Sequence, residues 1–332
     1  MDYIGSKVKW LSWLFEIIGR SVPEPSGRVF LDGCSGSGVV SRAAARAGFQ
    51  VVANDLMYFP ATIANGSTGL TVSQQMVTQH QIERLNTLAG VDGYFFHNFS
   101  DEGEPPRFYF TAANARRIDH VRREIEQVQD PKVKDYLLYC GLEALSRTSN
   151  TTGVQAAFLK KFKARALDWF ELRAEEHVPG TVTAYRRDIL ELLSEGLAPP
   201  EDILYLDPPY TGRQYGPNYH LYETFVRNDD PEPVGKTGLR GWKNECHSAF
   251  CVARKCLEFL VNVVAASKAP LVYLSYNSDG LVRAEDMQMT LSSFGKITIN
   301  EAQQRRYRAD TSKTRIYNQK PLVEYLFELH RD

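Results

Sequence analysis

Apolar residues in the stretch VKWLSWLFEIIG, residues 8–19, recur three and four positions apart, which predicts an amphipathic helix behind a short YIGSK opening at 3–7. The pattern then changes. GRVFLDGCSGSGVVSRAAARAG (27–48) reads as an apolar strand, a glycine-rich turn and an alanine-rich helix, and FQVVANDL (49–56) as a second strand ending in Asp55. Residues 58–178 break this alternation, with helical spacing around 72–89, 112–129 and 132–147 joined by polar and aromatic loops. Alternation resumes with TVTAYRRDILELLSEG (181–196) and ILYLDPPY (203–210), followed by a helix at 244–267 and the strand LVYLSYNS (271–278). A helix near 284–293 and strands near 296–302 and 321–329 complete the chain. The pattern predicts an α/β fold of the doubly wound kind, formed by 1–57 and 181–332, with a mostly helical insertion at 58–180.

Composition adds exclusions. The chain of 332 residues is 43% apolar and 24% charged, without low-complexity tracts or internal repeats. Its apolar runs are too short to span a bilayer and its start lacks a signal-peptide core. Five cysteines without a C-x-x-C pair suit neither a disulfide framework nor a zinc site, so a reduced, cytoplasmic protein is expected. A net charge of −1 argues against a chain that coats nucleic acid, yet the cations are clustered. KKFKARA (160–166) carries four positive charges and no acid, and RRYRADTSKTRIYNQK (305–320) carries six against one, with tyrosines interleaved. Such segments suit local phosphate contacts.

Two motifs carry candidate chemistry. A glycine turn between strand and helix lets backbone approach a ligand, with the helix N-terminus favouring polar or anionic groups. Ser41 stands where the dinucleotide fingerprint needs its third small residue, so that motif is incomplete. The alternative is the acid-x-x-x-Gly-x-Gly turn of S-adenosylmethionine-dependent methyltransferases, supplied by Asp32, Gly36 and Gly38. Either ligand has a ribose, whose two hydroxyls Asp55 can accept. The second motif is ILYLDPPYTG (203–212), where paired prolines stop the strand at Asp207.

Taken in order, YIGSK, FLDGCSGSG and LYLDPPY resemble the Dam-like (alpha-group) DNA adenine-N(6) methyltransferases, and further segments extend the resemblance over nearly the whole chain: YFTAANARRID (109–119), SNTTGVQAAFLKKF (149–162), RQYGPNYHLYET (213–224), LSYNSDG (274–280) and VEYLFEL (323–329). The resemblance implies a Rossmann-like class I methyltransferase sheet, a target-recognition insertion, S-adenosylmethionine as cofactor and no metal. It implies cofactor contacts at Tyr3, Lys7, Asp55 and Asp207, with Asp32, Gly36 and Gly38 along the methionine and ribose, and Asp188 near the adenine unless it merely caps the next helix. Ser6 replaces the second glycine of the family's opening segment, and Cys34 stands where many relatives carry Phe.

The implied chemistry suits Asp207-Pro208-Pro209-Tyr210. An exocyclic adenine amine is a poor nucleophile because its lone pair is delocalised into the ring. The Asp207 carboxylate and Pro208 carbonyl, held in a rigid fork, can accept its two hydrogens and localise that pair. Tyr210 is expected to stack on a base flipped from the duplex, a contact of ~1–3 kcal/mol. Tyr215, Tyr219 and His220 are candidates to line the pocket, although an ordinary hydrogen-bonded role is expected of His220. Candidate DNA contacts are Arg147, Asn150, Lys160, Lys161, Lys163, Tyr215, Arg305, Arg306 and Arg308. Expected partners are double-stranded DNA and a cognate restriction endonuclease, with a monomer sufficient for one strand at a time. The competing readings are an RNA amino-methyltransferase, a cytosine-N(4) enzyme, a nicotinamide-dependent oxidoreductase and a non-catalytic DNA-binding subunit.

Overall fold

A computed structural model describes residues 1–242, 245–304 and 321–331. Along the chain the helices are α1 (Leu11–Ser21), α2 (Val39–Ala47), α3 (Tyr58–Gly66), α4 (Val72–Asn86), α5 (Tyr94–Phe99), α6 (Ala112–Glu126), α7 (Pro131–Thr148), α8 (Ile189–Ser194), α9 (His220–Arg227), α10 (Cys256–Ala266) and α11 (Ala284–Leu291). The longer strands are β1 (Val29–Asp32), β2 (Gln50–Asp55), β3 (Val182–Arg186), β4 (Ile203–Leu206), β5 (Leu271–Asn277), β6 (Gly295–Gln304) and β7 (Leu322–Arg331).

These elements form two compact units. The first comprises Met1–Gly27, Ser35–Arg187 and Gln214–His247, and the second Arg28–Cys34, Asp188–Arg213 and Ser248–Asp332. In the second, five strands run in the order β1-β4-β5-β7-β6. β1, β4 and β5 are parallel, while β7 is antiparallel to both β5 and β6. Both faces of a parallel sheet are covered, which is why ILYL is buried at every position. In the first unit β2 and β3 pair in parallel, with Asp55 opposite Arg186. The fold is Rossmann-like α/β, parallel except for its last hairpin.

The first unit holds a helical core in which Phe59, Phe95, Phe99, Phe110, Ile118, Leu137, Leu145 and Phe225 are all buried. Local signals set its helix ends. Thr71 and Gln74 close a capping box on α4, and Asp130 caps α7 ahead of Pro131. Glu223 of α9 caps α3 from a distance, accepting the Tyr58 and Phe59 N–H groups at 3.0 and 3.2 Å. Burial pushes its carboxyl up to about 7, against the pull of those N–H groups.

The structure departs from the periodicity in places. Residues 58–178 hold five α-helices rather than three, the extra ones being α3 and α5, only 9 and 6 residues long and so weak in periodic signal. The helix expected over 244–267 begins only at Cys256. Ser248 accepts the Phe250 N–H and starts a separate short turn, Ala249–Cys251, that ends in extended backbone at Val252. Gly66, near the end of α3, lies against α7 so closely that a β-carbon there would stand 2.4 Å from the Asp135 carbonyl oxygen. Backbone cannot yield as a side-chain tip can. Gly66→Ala is therefore expected to destabilise the protein by about 1–3 kcal/mol in urea unfolding, with the slope unchanged.

Candidate active site

In the first unit the glycine turn is tied to the end of β2. Ser35 N–H donates to the Asn54 carbonyl at 2.8 Å and Gly38 N–H to the Ser35 carbonyl at 2.7 Å. Gly36 and Gly38 have φ of +48° and +69°, which explains both glycines. Asp55 accepts the Gly36 N–H at 3.0 Å with one oxygen and the Met57 N–H at 3.0 Å with the other. Burial raises its carboxyl to about 6, and the N–H groups pull the other way.

Tyr3 lies directly over this turn, since a β-carbon on Gly36 would meet its ring at 2.8 Å. The Tyr3 ring stacks on Tyr219 at 4.7 Å, with Tyr215 at 5.8 Å. The Tyr219 hydroxyl accepts the Ile4 N–H at 2.6 Å. The opening segment, the glycine turn and the loop after Asp-Pro-Pro-Tyr thus meet in one aromatic cluster, and Lys7 is buried nearby in sequence.

In the second unit Asp32 ends β1, buried, in register with Tyr205 of β4. β4 stops at Leu206, and Asp207 follows beyond its last paired residue. The Tyr210 hydroxyl donates to Asp207 Oδ1 and lies 3.4 Å from Glu324. Its ring packs edge-on against Tyr276 at 5.1 Å, and the Leu281 N–H donates to its carbonyl at 3.0 Å. Burial and the neighbouring Asp207 and Glu324 charges hold the phenol well above its ordinary range, so it keeps its proton. Tyr210, expected as a stacking ring, is here first a hydrogen-bond donor to the acid of its own motif. Asp188 accepts the Leu190 N–H at 2.9 Å and caps α8.

The expected DNA contacts divide by exposure. Lys160 and Lys161 are exposed. Lys163 donates to the Thr151 carbonyl at 2.6 Å, and Arg147 is half-buried in an ion pair with Glu175 at 2.7 Å. Asn150 corrects the expectation. It is fully buried, its amide donating to the Phe108 and Leu159 carbonyls and its oxygen accepting the Lys163 N–H, so it shapes the loop from inside. Tyr215 belongs to the aromatic cluster. Arg305, Arg306 and Arg308 lie outside the described residues.

His220 is buried, with Nε2 3.0 Å from the Gln155 carbonyl, as an ordinary core histidine. Gln155 itself was not foreseen. Its side-chain oxygen accepts the Leu221 and Tyr222 N–H groups, its N–H donates to the Asn218 carbonyl, and its carbonyl accepts the Tyr109 hydroxyl. Glu324 and Ser275, joined by a 2.9 Å hydrogen bond, were also missed. The signal for Glu324 was present in VEYLFEL, where two acids four positions apart fall on one face of an apolar strand. Among the described residues, no group of three or more His, Cys, Asp and Glu side chains could hold a metal ion, and no helix is long and apolar enough to cross a membrane.

The model of the D12 class N6 adenine-specific DNA methyltransferase family matches residues 3–290. The type II methyltransferase M.NlaIII of Neisseria lactamica is 31% identical over 344 aligned positions, covering 100% of this chain and 99% of that protein. M.CviAII of Paramecium bursaria Chlorella virus 1 is 32% identical, covering 98% of this chain and 97% of that protein. M.FokI of Planomicrobium okeanokoites is 31% identical over the whole chain, which spans 53% of that longer protein. Among solved structures, the rRNA methyltransferase AviRa of Streptomyces viridochromogenes aligns with a TM-score of 0.33 at 13% identity, over 98% of this chain and 86% of that one.

Burial drives the His220 imidazole down to about 3, so the folded protein refuses a proton that the unfolded chain accepts below about pH 6.5. Acidification from pH 6.5 towards 3 should therefore cost the fold up to about 1.4 kcal/mol per pH unit through this group. Urea unfolding of His220→Gln is expected to be less acid-sensitive than wild type over that window.

Proposed function

The chain belongs to the D12 class N6 adenine-specific DNA methyltransferases, and on that premise we propose how its own residues divide the work of methylating adenine in DNA. The family uses S-adenosylmethionine, and two features of the first unit fit that donor. The glycine turn offers backbone where a β-carbon would strike Tyr3, and Asp55 presents carboxylate oxygens at the end of β2. Tyr3, Lys7, Gly36, Gly38 and Asp55 would hold the donor from this unit, Asp55 accepting the ribose hydroxyls. On the family resemblance, Asp32, Asp188 and Asp207 are further candidate donor contacts. When bound, the donor supplies an electrophilic methyl on sulfonium.

Asp207 and Pro208 carry the acceptor chemistry. The carboxylate and the proline carbonyl accept the two amine hydrogens and draw the nitrogen lone pair out of the ring, and the carboxylate offsets the positive charge that grows on nitrogen. Pro208 and Pro209 keep both oxygens in place, so little reorganises during reaction. The observation that carries this reading is the hydrogen bond from Tyr210 to Asp207 Oδ1. It restricts the rotation of the acid and so presents the carboxylate in one orientation. Tyr210 then offers its ring to the flipped base from a fixed position.

Residues 58–180 are the proposed target-recognition region. Exposed Lys160 and Lys161 stand in sequence beside the exposed apolar residues Leu167 and Trp169, a mixture that suits phosphate contact together with base or sugar contact. The names of the relatives favour a restriction-modification setting, with a partner endonuclease of the same specificity. The protein would act on DNA in the cytoplasm, as a monomer.

Purified protein should transfer tritiated methyl from the donor to unmodified duplex DNA, and single-molecule sequencing of DNA from expressing cells should report one adenine context. Asp207→Ala should abolish transfer while the melting temperature stays close to wild type; retained turnover would overturn the assignment. Replacing Lys160 and Lys161 with Ala should weaken DNA binding and lower the slope of log affinity against log salt by about 1–2. Because the free Asp55 carboxyl sits near pH 6, donor affinity should fall roughly tenfold per pH unit below that value. Asp55→Asn should flatten this dependence, as read by equilibrium binding without DNA.

A further inference from the structure

β7 places Glu324, Leu326 and Glu328 on one face of the sheet, opposite Asn277, Ser275 and Tyr273 of β5. Buried carboxylates on an interior strand are costly, and a sequence shaped for packing alone would use valine or leucine there. Glu328 has a local explanation, since it accepts the Tyr273 hydroxyl at 3.2 Å and lies 3.1 Å from His330. Glu324 is different. It is 4% exposed, accepts the Ser275 hydroxyl at 2.9 Å, and its Oε1 faces the Tyr210 hydroxyl at 3.4 Å.

The Tyr210 hydroxyl therefore stands between two carboxylates and has a single proton to give. It gives that proton to Asp207 Oδ1, the closer partner. Around the pair lie Ser275 on β5 and the buried Tyr205 phenol on β4, whose ionisation is opposed by burial and then by the charges of Asp207, Asp32 and Glu324. Every member of this group belongs to the second unit.

We infer that Glu324 is a positioning residue for methyl transfer: held by Ser275, it fixes the Tyr210 hydroxyl from the side opposite Asp207 and so sets both the orientation of the Asp207 carboxylate and its strength as an acceptor. This rests on the reading that Asp207 grips the amine. Two effects follow from the geometry. The negative charge of Glu324 opposes that of Asp207 and keeps the latter a strong acceptor. Competition for the single phenolic proton sets how tightly Tyr210 draws on Oδ1. Removing the Glu324 charge lets Tyr210 bind Asp207 without a rival and weakens the acid as a base. Removing the Ser275 hydroxyl takes one donor away from Glu324 Oε1, and that oxygen then competes harder for the phenol.

The test measures kcat, KM for donor and for DNA, and the acid limb of the kcat–pH profile for Glu324→Gln and Ser275→Ala in the full chain. Glu324→Gln is expected to lower kcat between about ten- and a hundredfold with both KM values close to wild type. Its acid limb should move to lower pH, whereas that of Ser275→Ala should move to higher pH. Opposite shifts are a signature that loss of packing does not produce. If both variants lose activity with the limb unmoved, or if Glu324→Gln turns over at the wild-type rate, the inference is wrong. Should Glu324→Gln fail to fold, the sign of the Ser275→Ala shift alone decides. Asp207→Ala separates the two levels: if it retains turnover, the reading of Asp207 fails, and if it is inactive while Glu324→Gln is unaffected, only the role of Glu324 fails.

Discussion

One hydrogen bond organises the Asp-Pro-Pro-Tyr motif of this protein, that from the Tyr210 hydroxyl to Asp207. A carboxylate just past a strand end has torsional freedom, and a bond from its own motif restricts it. The two intervening prolines make the bond possible by fixing φ and giving up N–H groups that would otherwise seek partners. The strand end, the acid and the ring are then one rigid piece. Tyr276 of β5, Leu281 just beyond that strand and Glu324 of β7 hold that piece, and all three lie far along the chain from residue 210.

The glycine turn is built by a different device. It depends on two residues at positive φ, and an acid at the end of the next strand accepts N–H groups from both directions. The acid is buried enough to resist ionisation, so the N–H groups do electrostatic work as well as structural work. Each unit thus supplies an acid at a strand end, but Asp55 is steadied by backbone and Asp207 by a side chain.

Much of this was legible in the sequence because it is local. Glycines at 36 and 38, the prolines after Asp207 and the cap at Asp188 impose backbone geometry within a few residues, and each stands where its type implied. The order of strand, glycine turn, strand and Asp-Pro-Pro-Tyr carried the family for the same reason. What escaped depends on distant pairing. Glu223 caps a helix 160-odd positions earlier in the chain, as the Tyr58 contact requires. Asn150 looked like a surface contact because asparagine is polar, and only the fold reveals that its amide is consumed by the Phe108 and Leu159 carbonyls. Glu324 reads as an exposed strand residue until β5 and β7 are paired.

Gln155 has a consequence for how such proteins diversify. Its side chain and backbone N–H tie this stretch to the segment after Asp-Pro-Pro-Tyr through three hydrogen bonds, with Asn218, Leu221 and Tyr222, while its carbonyl accepts the Tyr109 hydroxyl. A homologous insertion grafted in its place must reproduce this knot or loosen the segment that follows the motif. Change in this region is then confined to outward residues beyond the knot, which can drift freely while the anchor beneath them stays put.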